Sequence, residues 1–120
     1  MIARSVLAAV LLAAGCSQGG PAGSPSPSPS GTYVVTAIDY HFHDAHPSLP
    51  IALDRMVEVN NQGSNIHNVT FEGAGYDENV RPGTRLVIDP QELFGEPGRY
   101  PFVCRFHADR GMTGVLVIVA

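Results

Sequence analysis

Cys104, His107 and Met112 bring a thiol, an imidazole and a thioether into one short stretch near the C-terminal end of the chain. The spacing Cys104-x2-His107-x4-Met112 places them at the end of a β-branched and aromatic run and in the loop that follows. Gly111 and Gly114 are expected to let that loop turn sharply. Sulfur donors beside an imidazole form a soft set that selects copper over magnesium or calcium. His67, in Asn65-Ile66-His67-Asn68-Val69, supplies a second imidazole. Two histidines and a cysteine in a trigonal set, with a weak axial methionine, describe a blue-copper electron-transfer site. Taken singly, each residue has a plainer reading: Cys104 as a buried strand residue, Met112 as core filler, either histidine as a hydrogen-bonded or surface imidazole. His41, His43 and His46 form a separate group. His41 and His43 share a face if their segment is a strand. Two readings are open for the group: a second Cu(II) or Zn(II) site, or a solvated strand edge whose charge rises below about pH 6.5. If Asp54-Arg55 is the turn feeding the strand towards His67, at the end away from the soft ligand set, the spacing back to His46 is expected to bring this cluster towards the ligand end.

Ligands this far apart in sequence need a frame, and the frame is all-β. Tyr33 to Tyr40, Met56 to Asn60, Asn68 to Phe71, Arg85 to Ile88, Arg99 to Cys104 and Gly114 to Val119 are β-branched, aromatic or alternating runs. Asn60-Asn61-Gln62-Gly63, Arg81-Pro82-Gly83 and Glu96-Pro97-Gly98 separate them with turn chemistry. One helical turn is expected at Asp89 to Gly95, with Asp89 as N-cap, Pro90 in the first turn and Gly95 closing it. Several short strands at regular spacing predict a β-sandwich or barrel over residues 31–120.

The chain has 120 residues, enough for one domain. With 44% hydrophobic and 15% charged residues its composition is that of a globular protein. A net charge of −4, with arginine as the sole basic residue type, excludes a general polyanion binder, so no nucleic-acid partner is expected. Two cysteines cannot build a zinc ribbon or a disulfide framework. A Cys16–Cys104 disulfide is conceivable in an exported protein. Residues 1–16 read as an export signal: Arg4 precedes an apolar run, Ser5 to Ala14, too short to span a bilayer, which takes about 20 helical residues. Leu12-Ala13-Ala14-Gly15-Cys16 resembles the lipobox of bacterial lipoproteins, which implies lipidation of Cys16 and anchoring to the extracytoplasmic face of a bacterial membrane. Residues 17–30, rich in Ser, Pro and Gly, read as a disordered linker reaching roughly 40 Å if extended as polyproline II.

His67-Asn68-Val69, Pro97-Gly98-Arg99-Tyr100 and Cys104-x2-His107-x4-Met112 together resemble the cupredoxin family, plastocyanins and pseudoazurins above all. The resemblance runs from about Tyr33 to the C-terminus. It implies a Greek-key β-sandwich, one copper ion cycling between Cu(I) and Cu(II), and His67, Cys104, His107 and Met112 as its ligands. Asn68 matches the asparagine that braces the ligand loop by hydrogen bonding. Arg105 stands where a smaller residue is common in that family. The implied role is single-electron carriage between transient redox partners by a monomer, without enzymatic turnover. Electrons would pass through His107, within a small apolar patch bordered by Ala108, Gly111 and Met112. Arg105, Asp109 and Arg110 would give its neighbourhood one net positive charge. Two other functions fit the same residues: a copper-holding or copper-delivery lipoprotein that uses this site, the His41/His43/His46 cluster or both, and a metal-free β-sandwich acting as a binding module.

Overall fold

The β-branched and aromatic runs become strands because alternate side chains can then face a shared interior. In the computed structural model, which describes residues 31–120, these strands are β1 (Tyr33–Ile38), β2 (His41–His43), β3 (Pro50–Ala52), β4 (Val57–Asn61), β5 (His67–Phe71), β6 (Tyr76–Val80), β7 (Arg85–Ile88), β8 (Gly98–Val103) and β9 (Thr113–Val119). The expected signal, linker and Cys16 lie outside the described residues. One helical turn, α1 (Pro90–Leu93), precedes β8. Its N-cap is Asp89, whose carboxylate accepts from the backbone N–H groups of Gln91 and Glu92, and Gly95 follows it at φ +76°.

The strands form two mixed sheets, ordered β2-β1-β4-β7 and β3-β9-β8-β5-β6, packed as a Greek-key β-sandwich. Most neighbours are antiparallel, but β1 runs parallel to β4 and β3 parallel to β9. The β1–β4 register, with Ala37 opposite Asn61, brings the residues after β1 beside the Gln62–Ile66 loop that leads to His67. Tyr33 to Tyr40 is therefore not one strand. It breaks after Ile38, where Asp39 turns its carboxylate onto the backbone of that loop.

β2, β3 and β6 have no clear signature in the sequence. The first two are three residues long, and Asp77-Glu78-Asn79 in β6 is an exposed polar run. Their partners make them strands: β6 pairs with β5 from His67 opposite Val80 to Phe71 opposite Tyr76.

Val35, Val57, Val59 and Ile88 from one sheet meet Val69, Phe71, Phe102, Leu116 and Ile118 from the other in the interior. Burial of each such side chain is worth about 1.5–3 kcal/mol relative to exposure. Phe102 sits at the centre, its ring centroid 4.8 Å from Phe42 and 5.1 Å from Phe71. Gly114 belongs to this packing and not to a turn. A Cβ there would lie 2.5 Å from Phe102 Cζ and 2.9 Å from Ala45 Cβ. Gly111 is the turn residue, at φ +75°.

Candidate metal centre

Three elements converge at one end of the sandwich. The first residue of β5 contributes His67, the residue after β8 contributes Cys104, and the loop from β8 to β9 contributes His107. One donor atom from each lies within 4.8 Å of the other two. The Nδ1 atoms of His67 and His107 are 3.3 Å apart, and Cys104 Sγ is 3.4 Å from His107 Nδ1. His67 and Cys104 are fully buried and His107 is half-buried.

The ligand loop is held by its own backbone. Cys104 N–H donates to the Met112 carbonyl at 3.0 Å, and His107 N–H to the Cys104 carbonyl at 3.1 Å. Arg110 N–H donates to the His107 carbonyl at 2.9 Å, closing a 3-10 turn over Ala108–Arg110 that ends at Gly111. Met112 is fully buried at the base of the loop, so it does not border the surface patch expected for it. The exposed apolar residues flanking the histidines in sequence are Ile66 at 40%, Phe106 at 41%, and Ala108.

Asn68 connects the two ligand-bearing segments. Its backbone N–H donates to Cys104 Sγ at 3.3 Å. Its side-chain oxygen accepts from the Arg105 N–H at 3.3 Å and from the Thr70 hydroxyl. Its amide nitrogen donates to Asp77 at 2.6 Å and to Asn79 at 3.0 Å. Asp77 also takes both arms of Arg105, Nε at 2.6 Å and Nη2 at 3.0 Å. The Arg105 guanidinium, then Asn68, hold the Asp77 carboxyl below its usual range, and Asp77 in turn raises Arg105. Arg105 is thus already paired, and the ligand neighbourhood lacks the net positive charge expected from the loop alone. Asn68 and Thr70, which take part in this network, are buried like the core-facing residues Val69 and Phe71, so that all five residues of β5 are buried.

The geometry also holds residues the sequence did not single out. Asp39 Oδ1 lies 2.9 Å from His67 Nε2. Backbone N–H bonds from Ser64 and Asn65 keep this carboxyl below its ordinary value, with His67 adding to the effect. Burial pushes the His67 imidazole down, against the pull of Asp39. A neutral imidazole whose Nε2–H faces a carboxylate carries its lone pair on Nδ1, the atom turned to His107 and Cys104. Tyr40 packs on His107 with centroids 4.5 Å apart, and the Arg110 guanidinium lies 4.3 Å above the Tyr40 ring. Asp39 had one available signal, an acid closing a β-branched run where acids are depleted. Its partner, 28 positions away, was not readable.

His41 and His43 lie on the edge strand β2, both exposed, with ring centroids 4.7 Å apart. His41 pairs with Ile38, next to Asp39, so β2 starts near the ligand end and runs away from it. His46 bonds instead to the Ser48 hydroxyl. Among the described residues the one three-donor cluster is His67, Cys104 and His107.

Two imidazole nitrogens and one thiol, the sulfur accepting a backbone N–H, fit copper better than any hard cation. The family profile described as a cupredoxin-like domain matches residues 5–118. No curated protein matches the chain. Among solved structures the fold is shared with a purple cupredoxin from Nitrosopumilus maritimus, with 18% identity over 72% of this chain and 99% of that one and a TM-score of 0.57. A reduced amicyanin mutant gives 22% identity over 82% of this chain and 95% of that one, with a TM-score of 0.60. A copper-containing nitrite reductase from Thermus scotoductus SA-01 gives 18% identity and a TM-score of 0.60, over 74% of this chain but 22% of the enzyme.

Proposed function

We propose that this chain, which belongs to the cupredoxin-like family, is a membrane-tethered type 1 copper protein that carries single electrons between transient partners. Proteins of the family bind one copper ion. The observation that carries the reading is the convergence of His67, Cys104 and His107 donor atoms within 4.8 Å of one another. Bound there, copper supplies a one-electron couple, Cu(I)/Cu(II). His67, Cys104 and His107 would hold the ion in this reading, and Met112, buried in the same loop, would supply a fourth, weaker sulfur donor.

The protein's part is rigidity. Asn68 ties the strand bearing His67 to the loop bearing Cys104 and His107, and the loop's backbone bonds would hold those two side chains in place whichever oxidation state the ion took. A fixed site lowers the reorganisation that each electron requires. Four protein ligands leave little room for a substrate, which argues for a carrier over an enzyme. Half-buried His107 is the route for electrons, with Ala108 beside it as the docking contact. Lipidation of Cys16 would hold the domain at the extracytoplasmic face of a bacterial membrane, with residues 17–30 as spacer. The carrier itself works as a monomer.

Copper holding or delivery is the second reading, and the exposed His41–His43 pair favours it. One titration separates the two. Adding Cu(II) to the purified chain should give one equivalent bound and an intense thiolate-to-copper absorption, which Cys104→Ser should abolish because a serine hydroxyl is neither soft nor ionised at neutral pH. Two equivalents, one released readily to a chelator and lost in the His41/His43/His46→Gln variant, would favour delivery. No uptake would leave the metal-free binding module. Full absorption in Cys104→Ser would end the type 1 assignment.

A further inference from the structure

We propose that Asp39 is a positioning residue that sets the orientation and donor strength of His67, and that position 63 is glycine so that the two can meet. The proposal rests on His67 being a copper ligand. Asp39 lies on neither ligand-bearing element; it directly follows β1, a strand of the opposite sheet. Its Oδ1 accepts from His67 Nε2 at 2.9 Å and from the Asn65 N–H at 3.3 Å, while Oδ2 accepts from the Ser64 N–H at 2.9 Å. The carboxylate is thus fixed by two backbone donors before it touches the imidazole.

The loop supplying those donors is itself anchored. Buried Asn61 accepts from the Gly63 N–H at 2.9 Å and donates to the carbonyls of Asn65 and Val80, each at 2.8 Å. Gly63 then passes directly over the Asp39–His67 contact. A Cβ there would collide with the Asp39 carboxylate and lie 3.0 Å from both Asp39 Cγ and His67 Nε2. No positive φ requires this glycine, so close approach is its reason.

Two consequences follow. A carboxylate on Nε2–H keeps the proton there and leaves Nδ1 as the donor, so the imidazole is oriented before any metal arrives. An anion one ring away also favours the oxidised, more positive ion over the reduced one. Asp39 therefore lowers the reduction potential, an effect that fold support alone would not produce.

The test uses the full-length chain in two states. In the metal-free protein, nitrogen-15 NMR should show His67 as the Nε2-protonated tautomer, and Asp39→Ala should mix the tautomers. In the copper-loaded protein, Asp39→Asn keeps an oxygen acceptor but removes the charge. It should raise the ratio of Cu(I) to Cu(II) affinity about tenfold, a rise of about 59 mV in a one-electron couple. Asp39→Ala should lower Cu(II) affinity by about 10–100-fold. Gly63→Ala, which leaves the carboxylate in the sequence, should raise the potential too. The Asp39→Asn/Gly63→Ala double variant should shift it by less than the sum, since both break one contact. Blue variants with the parent's potential and an unchanged His67 tautomer would overturn the role of Asp39 and leave the carrier standing. A parent chain that takes up no copper would overturn both.

Discussion

Met112 is the residue at which loop closure and the proposed tuning of copper can be tested separately. Its backbone carbonyl closes the loop on Cys104, a contact that any residue could make, while its buried thioether is the further soft donor that the proposed site would use. Met112→Leu conserves volume, so it should cost less than about 1.5 kcal/mol and leave copper bound. The reduction potential should rise, because losing an axial donor disfavours Cu(II) more than Cu(I). Cyclic voltammetry with a copper assay decides this: an unchanged potential, or loss of the metal, means that Met112 is not axial.

At the scale of elements, the loop from β8 to β9 is only as rigid as the two strands that carry it. Their pairing, from Gly98 opposite Ile118 to Val103 opposite Thr113, runs up to the first residues of the loop. Gly114 sits within that pairing and lets Phe102 lie against Ala45. Gly114→Ala forces the aromatic cluster apart and should destabilise the domain by about 1–3 kcal/mol. At about 4–8 °C per kcal/mol for a domain of this size, thermal unfolding of the metal-free protein should show a clear drop in Tm. An unchanged Tm would mean that the core relaxes around the methyl group at no cost. The Arg105–Asp77–Asn68 network works at the same scale, joining β5, β6 and the ligand loop through charge-assisted bonds.

For the whole molecule, the proposed carrier role and the proposed lipid anchor each make a separate prediction. Ala108 is exposed next to His107, and Arg105 nearby is already neutralised by Asp77. Ala108→Glu therefore adds an uncompensated charge to a nearly neutral contact. It should slow self-exchange by about tenfold at low ionic strength, with spectrum and potential little changed. Recovery at high salt identifies charge repulsion, and persistence identifies lost apolar contact. Equal rates in variant and parent would exclude the His107 route. With Cys16 lipidated as proposed, Cys16→Ala should release the protein from membranes with its copper spectrum intact, since acyl chains contribute about 0.8 kcal/mol per buried CH₂. A variant that stays in the membrane fraction would point to an uncleaved anchor or a bound partner.

Much of this protein is written locally. Cys104, His107 and Met112 share one loop, so their spacing alone announces soft-metal chemistry, and β-branched runs broken by two Pro-Gly turns and by Asn60-Asn61-Gln62-Gly63 announce an all-β fold. Asp89, Pro90 and Gly95 mark the helical turn for the same reason, since caps act within a few residues. What the sequence could not show depends on which strands become neighbours. The parallel β1–β4 register sets Asp39 beside His67, β6 becomes a strand only by pairing with β5, and Phe102 gives Gly114 a packing role instead of a turn. Hydrogen-bond partners 28 or 37 positions apart leave no periodicity to read. They arise when two sheets are pressed together by their apolar faces, and the tertiary structure alone decides which polar groups that packing brings within reach.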